Sequence, residues 1–276
     1  MLGFVVRRAC VAIRASSLVA LVACFVVSLA CGHHEEPRFP ERPERPAGSP
    51  CFEEQVRITS FCVDKYEDYV VELDASNREH PHSPYAMVKD ARVRAKVARN
   101  VVPQAYISQV QAKAACENAG KRLCKPDEYI RACRGPSKND LYPYGGMQKR
   151  AGACNEGHGS FVALAFGQDF MKLTYENFND PKLNQMPGGL ARTGAFPKCV
   201  SPDGLYDMVG NLHEWVDEGP DANGHGRFRG GWYGDAENNG PGCFYVTSAH
   251  EPTYHDYSTG FRCCADALDP KAGKGG

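Results

Sequence analysis

Thirteen cysteines in 276 residues constrain this chain more than any other feature. A cytosolic enzyme of this size rarely carries so many thiols unless they bind metal, whereas an exported protein can oxidise them into staples. Cys10 and Cys24 fall within an N-terminal apolar segment, and Cys31 closes it. The other ten are Cys51, Cys62, Cys116, Cys124, Cys133, Cys154, Cys199, Cys243, Cys263 and Cys264. An even number is the arithmetic of a disulfide framework. Structural zinc is the rival, but it wants C-x2-C or similar pairs. No C-x2-C occurs here, so disulfides are expected.

The N-terminus agrees with export. Arg7, Arg8 and Arg14 precede an apolar run from Leu18 to Val27, which closes with Ser28-Leu29-Ala30-Cys31. A positive start, an apolar middle and small residues before a polar stretch make a secretory signal. The run is shorter than the ~20 residues a spanning helix prefers. A cysteine directly after Ala30 resembles a bacterial lipobox, with lipidation expected at Cys31. Ser28 stands where Leu is usual, and Leu21-Val22-Ala23-Cys24 is the weaker alternative because more apolar sequence follows it. The segment 1–31 is therefore read as a signal peptide with a lipobox-like end. Segment 32–50, with Pro37, Pro40, Pro43, Pro46 and Pro50, reads as an extended tether. A domain over 51–267 follows, and 268–276 reads as a flexible tail. The expectation is an exported envelope lipoprotein held at the membrane by a lipid, with ordinary secretion as the alternative.

Charge excludes one class of partner. The chain has 32 basic against 33 acidic residues, which removes the electrostatic case for nucleic-acid binding. The basic stretch from Lys89 to Arg99 reads as a solvated surface insertion.

Two helices are legible. Ser108 and Gln111 form a capping box that starts a helix running through about Ala119, and Gly120 supplies its stop. Pro126 suits the first turn of a second helix to about Arg134, with Asp127 and Glu128 against its positive end. Elsewhere Gly and Pro punctuate short segments and few strands alternate cleanly. The expected class is α+β, irregular and loop-rich.

Several motifs in order resemble the formylglycine-generating enzyme, or sulfatase-modifying factor, family. They are Phe61-Cys62-Val63-Asp64-Lys65-Tyr66-Glu67, then Ala119-Gly120-Lys121-Arg122-Leu123, then Tyr142-Pro143-Tyr144-Gly145. Gly204-Leu205-Tyr206-Asp207-Met208-Val209-Gly210-Asn211-Leu212-His213-Glu214-Trp215, Arg229-Gly230-Gly231 and Gly260-Phe261-Arg262-Cys263 follow. The resemblance covers roughly residues 58 to 266 and implies a calcium-containing variant of the C-type lectin fold, stapled by disulfides. It also implies two pairings, Cys116 with Cys263 and Cys133 with Cys243. Residual spacing then suggests Cys154 with Cys199 and Cys51 with Cys62, leaving Cys124 with Cys264.

By the same resemblance, calcium would be held by the Asp207 side chain, the Gly210 and Leu212 carbonyls and the Glu214 carboxylate. Two carboxylates and two carbonyls on a short loop are the hard oxygens that this ion takes. A second family site would begin at Asn155, with later ligands near Asp180. The bland reading of the Asp207 loop is one held by Asp and Glu hydrogen bonds, with His213 and Trp215 packing.

The family's oxidase chemistry uses two cysteines that bind copper(I), a soft ion that prefers thiolates. The corresponding positions here are Asp235 and Gly240, and Cys243 is the sole cysteine between residues 200 and 262. Copper is therefore not expected, and no catalytic residue is assigned. His225, Asp235, Tyr245, His250 and His255 are chemically capable but too scattered for roles. The reading is a non-oxidase binding or accessory module, anchored in the bacterial envelope, with a protein or glycan partner: a pseudoenzyme on an enzyme fold. The alternative is a sulfatase-maturation oxidoreductase, converting cysteine to formylglycine, or another oxidative maturation activity of the periplasm.

Overall fold

The computed structural model describes residues 43–268. Residues 1–42, where the signal and the lipidation sites Cys24 and Cys31 are expected, and residues 269–276 lie outside the described residues. Among the described residues regular structure is short throughout, in eleven strands and four α-helices joined by loops.

The first strands are β1 (Gln55–Ile58), β2 (Phe61–Asp64), β3 (Tyr69–Leu73), β4 (Glu79–Pro81) and β5 (Val93–Lys96). Helix α1 (Gln109–Asn118), β6 (Arg122–Leu123) and α2 (Pro126–Arg134) follow. Two short helices, α3 (Phe161–Phe166) and α4 (Tyr175–Phe178), precede β7 (His213–Trp215), β8 (Gly226–Arg229) and β9 (Val246–His250). The last strands are β10 (Thr259–Phe261) and β11 (Cys263–Asp266).

Local chemistry explains both longer helices. Ser108 Oγ accepts from the Gln111 amide at 3.3 Å, and Gln111 Oε1 accepts from the Ser108 amide at 3.0 Å. A cap of this type contributes about 1 kcal/mol. Gly120, at φ +74°, turns the chain out of α1 in the left-handed region that glycine tolerates. Pro126 occupies the first turn of α2, and Glu128 accepts from the Lys125 amide at 2.9 Å.

Three sheets form, in the orders β1-β2-β11-β6, β10-β7-β8-β9 and β4-β3-β5. The β10–β7 pair is parallel, and every other pair is antiparallel. Only Arg262 separates β10 from β11, so at this residue the chain passes from one sheet into another. All four residues of β2 are buried, which accounts for its missing alternation.

One expectation is corrected. The Lys89–Arg99 stretch is not a solvated insertion: Val93, Arg94 and Ala95 are buried in β5, which pairs with β3. Arg94 is accepted there because Glu79 takes its Nη1 at 2.9 Å and the Asn118 carbonyl takes its Nε at 3.0 Å.

All ten cysteines among the described residues are bridged: Cys51–Cys62, Cys116–Cys263, Cys124–Cys264, Cys133–Cys243 and Cys154–Cys199. Adjacent Cys263 and Cys264 clamp β11 to α1 and to the entry of α2. Closing loops of 147 and 140 residues restricts the unfolded chain by about 4–5 kcal/mol each at most.

Candidate functional site

The Asp207–Glu214 loop is built around residues in left-handed conformation, with Asp207 at φ +59°, Gly210 at +77° and Asn211 at +60°. Gly210 is required, since a Cβ there would lie 2.2 Å from the Asn155 carbonyl oxygen. That carbonyl accepts from the Asn211 amide at 2.8 Å. Asn155 also donates to the Gly189 carbonyl and to Asn211 Oδ1, and its own Oδ1 faces His158 Nε2 at 3.1 Å. Asn155 thus secures the Asp207 loop, and its side chain is already engaged by protein groups.

Beneath the loop is a buried ionic network. Glu67 accepts from the Leu212 amide at 3.0 Å and from Asn211 Nδ2 at 2.5 Å. Glu214 receives Arg262 Nη2 at 2.9 Å and Nε at 3.0 Å. Arg262 also donates to the Asp64 and Tyr206 carbonyls. Burial pushes the Asp207 carboxyl up to about 6, opposed by a hydrogen bond from the Gly194 amide. Burial, reinforced by Asp207 and Glu214, also drives Glu67 well above the ordinary carboxylate range.

This arrangement tests the expected calcium ligands. Glu67, Asp207 and Glu214 outnumber the one guanidinium, so a hard cation fits the charge and the donor chemistry. Of the expected ligands, Asp207 accepts from the Gly194 amide through Oδ2 at 2.6 Å. Glu214 does not suit such an ion, because Arg262 holds both of its oxygens. Among the described residues the convergent group of three possible ligand side chains is Asp64, Asp68 and Cys263, and Cys263 is spent in its disulfide. Asp64 there faces Lys121 at 2.7 Å.

The loop after Arg229-Gly230-Gly231 carries no thiol. Asp235 Oδ1 accepts from the amides of Glu237 and Asn238 and so caps its own turn. Gly240 sits at φ +110°, and a Cβ there would lie 2.9 Å from the Phe244 carbonyl oxygen. In this conformation no side chain, a cysteine included, fits at position 240. Cys243 is buried and bonded to Cys133.

Instead, this loop walls an aromatic cavity of about 540 Å³. Trp232 and Asn239 come from the loop, Thr174, Tyr175 and Phe178 from α4 and its cap, and His213 and Phe228 from β7 and β8. Tyr245, Thr247 and His250 add the β9 side, and Tyr254, Asp256, Tyr257 and Ser258 close it. Trp232 and Tyr257 meet nearly at right angles, 5.2 Å apart and 87° between planes. His250 stacks on Tyr254 at 3.7 Å.

The polar groups of this cavity are unusual. His213 is only 5 % exposed, and its Nδ1 finds no protein partner. Burial, then His250, holds its pKa down to about 3, so the ring is neutral. Burial lowers His250 as well. Asp256 is 6 % exposed and accepts from Tyr254 Oη at 2.6 Å and from Ser258 N and Oγ at 2.8 and 2.7 Å. It forms no salt bridge with a described residue. A second depression, of about 690 Å³ beside His82, offers less, since Glu72 and the Ala86 carbonyl already engage that imidazole.

Of the scattered candidates, Tyr245 and His250 thus reach the cavity. His225 and His255 line an adjoining depression with His250. Asp235 lines neither. His213, Trp232, Asp256 and Tyr257 were not singled out from sequence as cavity residues. The aromatic run Tyr254-His255-Asp256-Tyr257 was the available signal.

Residues 27–267 match the sulfatase-modifying factor enzyme 1-like domain. The formylglycine-generating enzyme of Mus musculus is 28 % identical over 148 residues, 53 % of this chain and 33 % of that protein. An inactive C-alpha-formylglycine-generating enzyme 2 of Bos taurus is 31 % identical over 114 residues, 41 % of this chain and 32 % of that protein. The match therefore spans about a third of the length of these relatives. Among solved structures, the Major Tropism Determinant I1 Variant superposes with a TM-score of 0.46 at 13 % identity, over 81 % of this chain and 55 % of that one. The match to the domain spans nearly the whole described region, and the chain belongs to the sulfatase-modifying factor enzyme 1-like family.

Proposed function

We propose that this domain is a non-oxidase binding or accessory module of the bacterial envelope, tethered through a lipid on Cys31, with a protein or glycan partner and an aromatic cavity open to a ligand. One observation carries the reading. Where the resemblance puts two copper-binding cysteines stand a turn-capping Asp235 and a Gly240 without room for a side chain, beside a cavity in which His213 Nδ1 has no protein partner. Copper(I) wants soft thiolates, and among the described residues none is free. No helix among the described residues is long and apolar enough to cross a membrane. In this reading calcium has a structural role at the Asp207 loop, held by Asp207 and the Gly210 and Leu212 carbonyls, while Glu214 serves Arg262.

The test is to offer the purified protein copper(I) and a sulfatase-type Cys-x-Pro-x-Arg peptide under oxygen. The peptide is expected to remain a thiol, and its conversion to the aldehyde would overturn the reading. Chelation followed by calcium addition addresses the structural metal: Tm should fall and then recover.

A further inference from the structure

We propose that the aromatic cavity binds a quaternary ammonium group, seated among Tyr175, Trp232, Tyr245 and Tyr257 and balanced by the buried carboxylate of Asp256. The proposal rests on the non-oxidase reading of the same cavity and names the ligand class.

Three observations select this chemistry. The lining holds no Lys or Arg, and its one charged side chain is a carboxylate. His250, which stacks on Tyr254 at 3.7 Å, has its pKa lowered by burial, against the opposing pull of Asp256. An acidic, aromatic-walled cavity favours a cation, which is drawn to ring faces within about 6 Å.

Hydrogen-bonding capacity then separates one cation from another. A primary ammonium or guanidinium taken from water needs acceptors for its N–H groups. Asp256 has already given Oδ2 to the Tyr254 hydroxyl and Oδ1 to the Ser258 amide and hydroxyl. The Tyr175 hydroxyl donates to the His255 carbonyl at 2.7 Å, and Thr247 Oγ1 accepts from Asn239. Besides His213 Nδ1, a single unpartnered nitrogen that cannot satisfy the three N–H groups of an ammonium, what the cavity retains is field and aromatic surface. A quaternary ammonium has no N–H to satisfy and takes both. The cavity of about 540 Å³ exceeds one such headgroup, leaving room for the remainder of a larger molecule. A free choline-type solute and a phosphocholine lipid headgroup share this chemistry.

Choline chloride titrated into the purified full chain should give a saturable change in tryptophan fluorescence. The sequence has two tryptophans, and Trp215 is sealed in the core, so the signal reports Trp232. The neutral isostere 3,3-dimethyl-1-butanol should bind at least tenfold more weakly, and Asp256→Asn should weaken choline at least fivefold. Because Asp256 also organises its own turn, Tyr175→Ala provides a second variant at a 45 % exposed ring: choline weakens while Tm holds. Retention on phosphatidylcholine but not phosphatidylglycerol vesicles would assign the headgroup as source, and saturation by choline alone the free solute. Absence of a response to both choline and phosphatidylcholine, or an isostere less than tenfold weaker, overturns the proposal. Failure here with the Cys-x-Pro-x-Arg peptide unconverted leaves the non-oxidase reading standing, whereas peptide conversion overturns that reading independently.

Discussion

The ionic network around Arg262 and the aromatic cavity around His213 both bury polar groups, and they treat them in opposite ways. In the network, Arg262 meets Glu214, two carbonyls and the field of Glu67, and Lys121 meets Asp64. In the cavity, His213 Nδ1 has no partner and Asp256 has no cation among the described residues. A buried polar group left unpaired costs about 1–3 kcal/mol. The ionic side pairs its buried charges, with Asp68 Oδ1 the atom left without a partner there, whereas the cavity leaves an imidazole nitrogen and a carboxylate without a charged partner; the first cluster holds the chain together and the second is open to something outside it.

Four measurements can break or sharpen this contrast. The largest effect is expected from the staples of the network side. Replacing both Cys116 and Cys263 by Ala releases a loop of 147 residues and should cost up to about 4–5 kcal/mol in denaturant unfolding. Next, Arg262→Met leaves Glu214 and Glu67 without their cation and should cost about 3–5 kcal/mol by the same method. A loss below 1 kcal/mol would mean that the network is not what holds the sheet junction.

The third prediction concerns pH. Burial, then Asp64, drives the Asp68 carboxyl well above its ordinary value. The folded chain therefore keeps a proton there that the unfolded chain loses near pH 4. With more protons on the native state, stability contributed by this site falls as pH rises above about 4. Asp68→Asn keeps an acceptor for the Cys263 amide and removes the titration. It should flatten the descending part of the stability profile by on the order of 1–3 kcal/mol at neutral pH. An unchanged profile would assign the proton elsewhere.

The smallest effect belongs to the cavity. His213→Phe removes an unpaired buried nitrogen and preserves ring contact with Phe228, now 4.5 Å away. Stability should hold or rise by about 1 kcal/mol, since the cost of the unpaired nitrogen is removed. A loss of several kcal/mol would make the cavity a structural cluster like the other, and the contrast would disappear.

Legibility in the sequence followed the range of the interactions. The α1 and α2 boundaries lie close to those read from Ser108, Gln111, Gly120 and Pro126, because caps act within one turn. Strands were poorly legible. Phe61 to Asp64 are buried on both faces and show no alternation, and the basic residues around Arg94 disguised β5. The ionic pair of Glu214 with Arg262 joins residues 48 positions apart, which no local pattern encodes. The cavity draws on separated segments from Leu173 to Ser258, so its members looked scattered.

The sequence by itself determined the oxidisable cysteine set, the two capped helices and the absence of a thiol pair after Arg229-Gly230-Gly231. Those are matters of composition, of one-turn geometry and of residue identity at a position. Only the tertiary structure decided that Glu214 faces Arg262, that Gly240 has no room for a side chain, and that His213, Trp232 and Asp256 share one cavity. Each depends on which distant backbone and side-chain atoms come within a few ångströms, and that is set by how the sheets and loops close around the core.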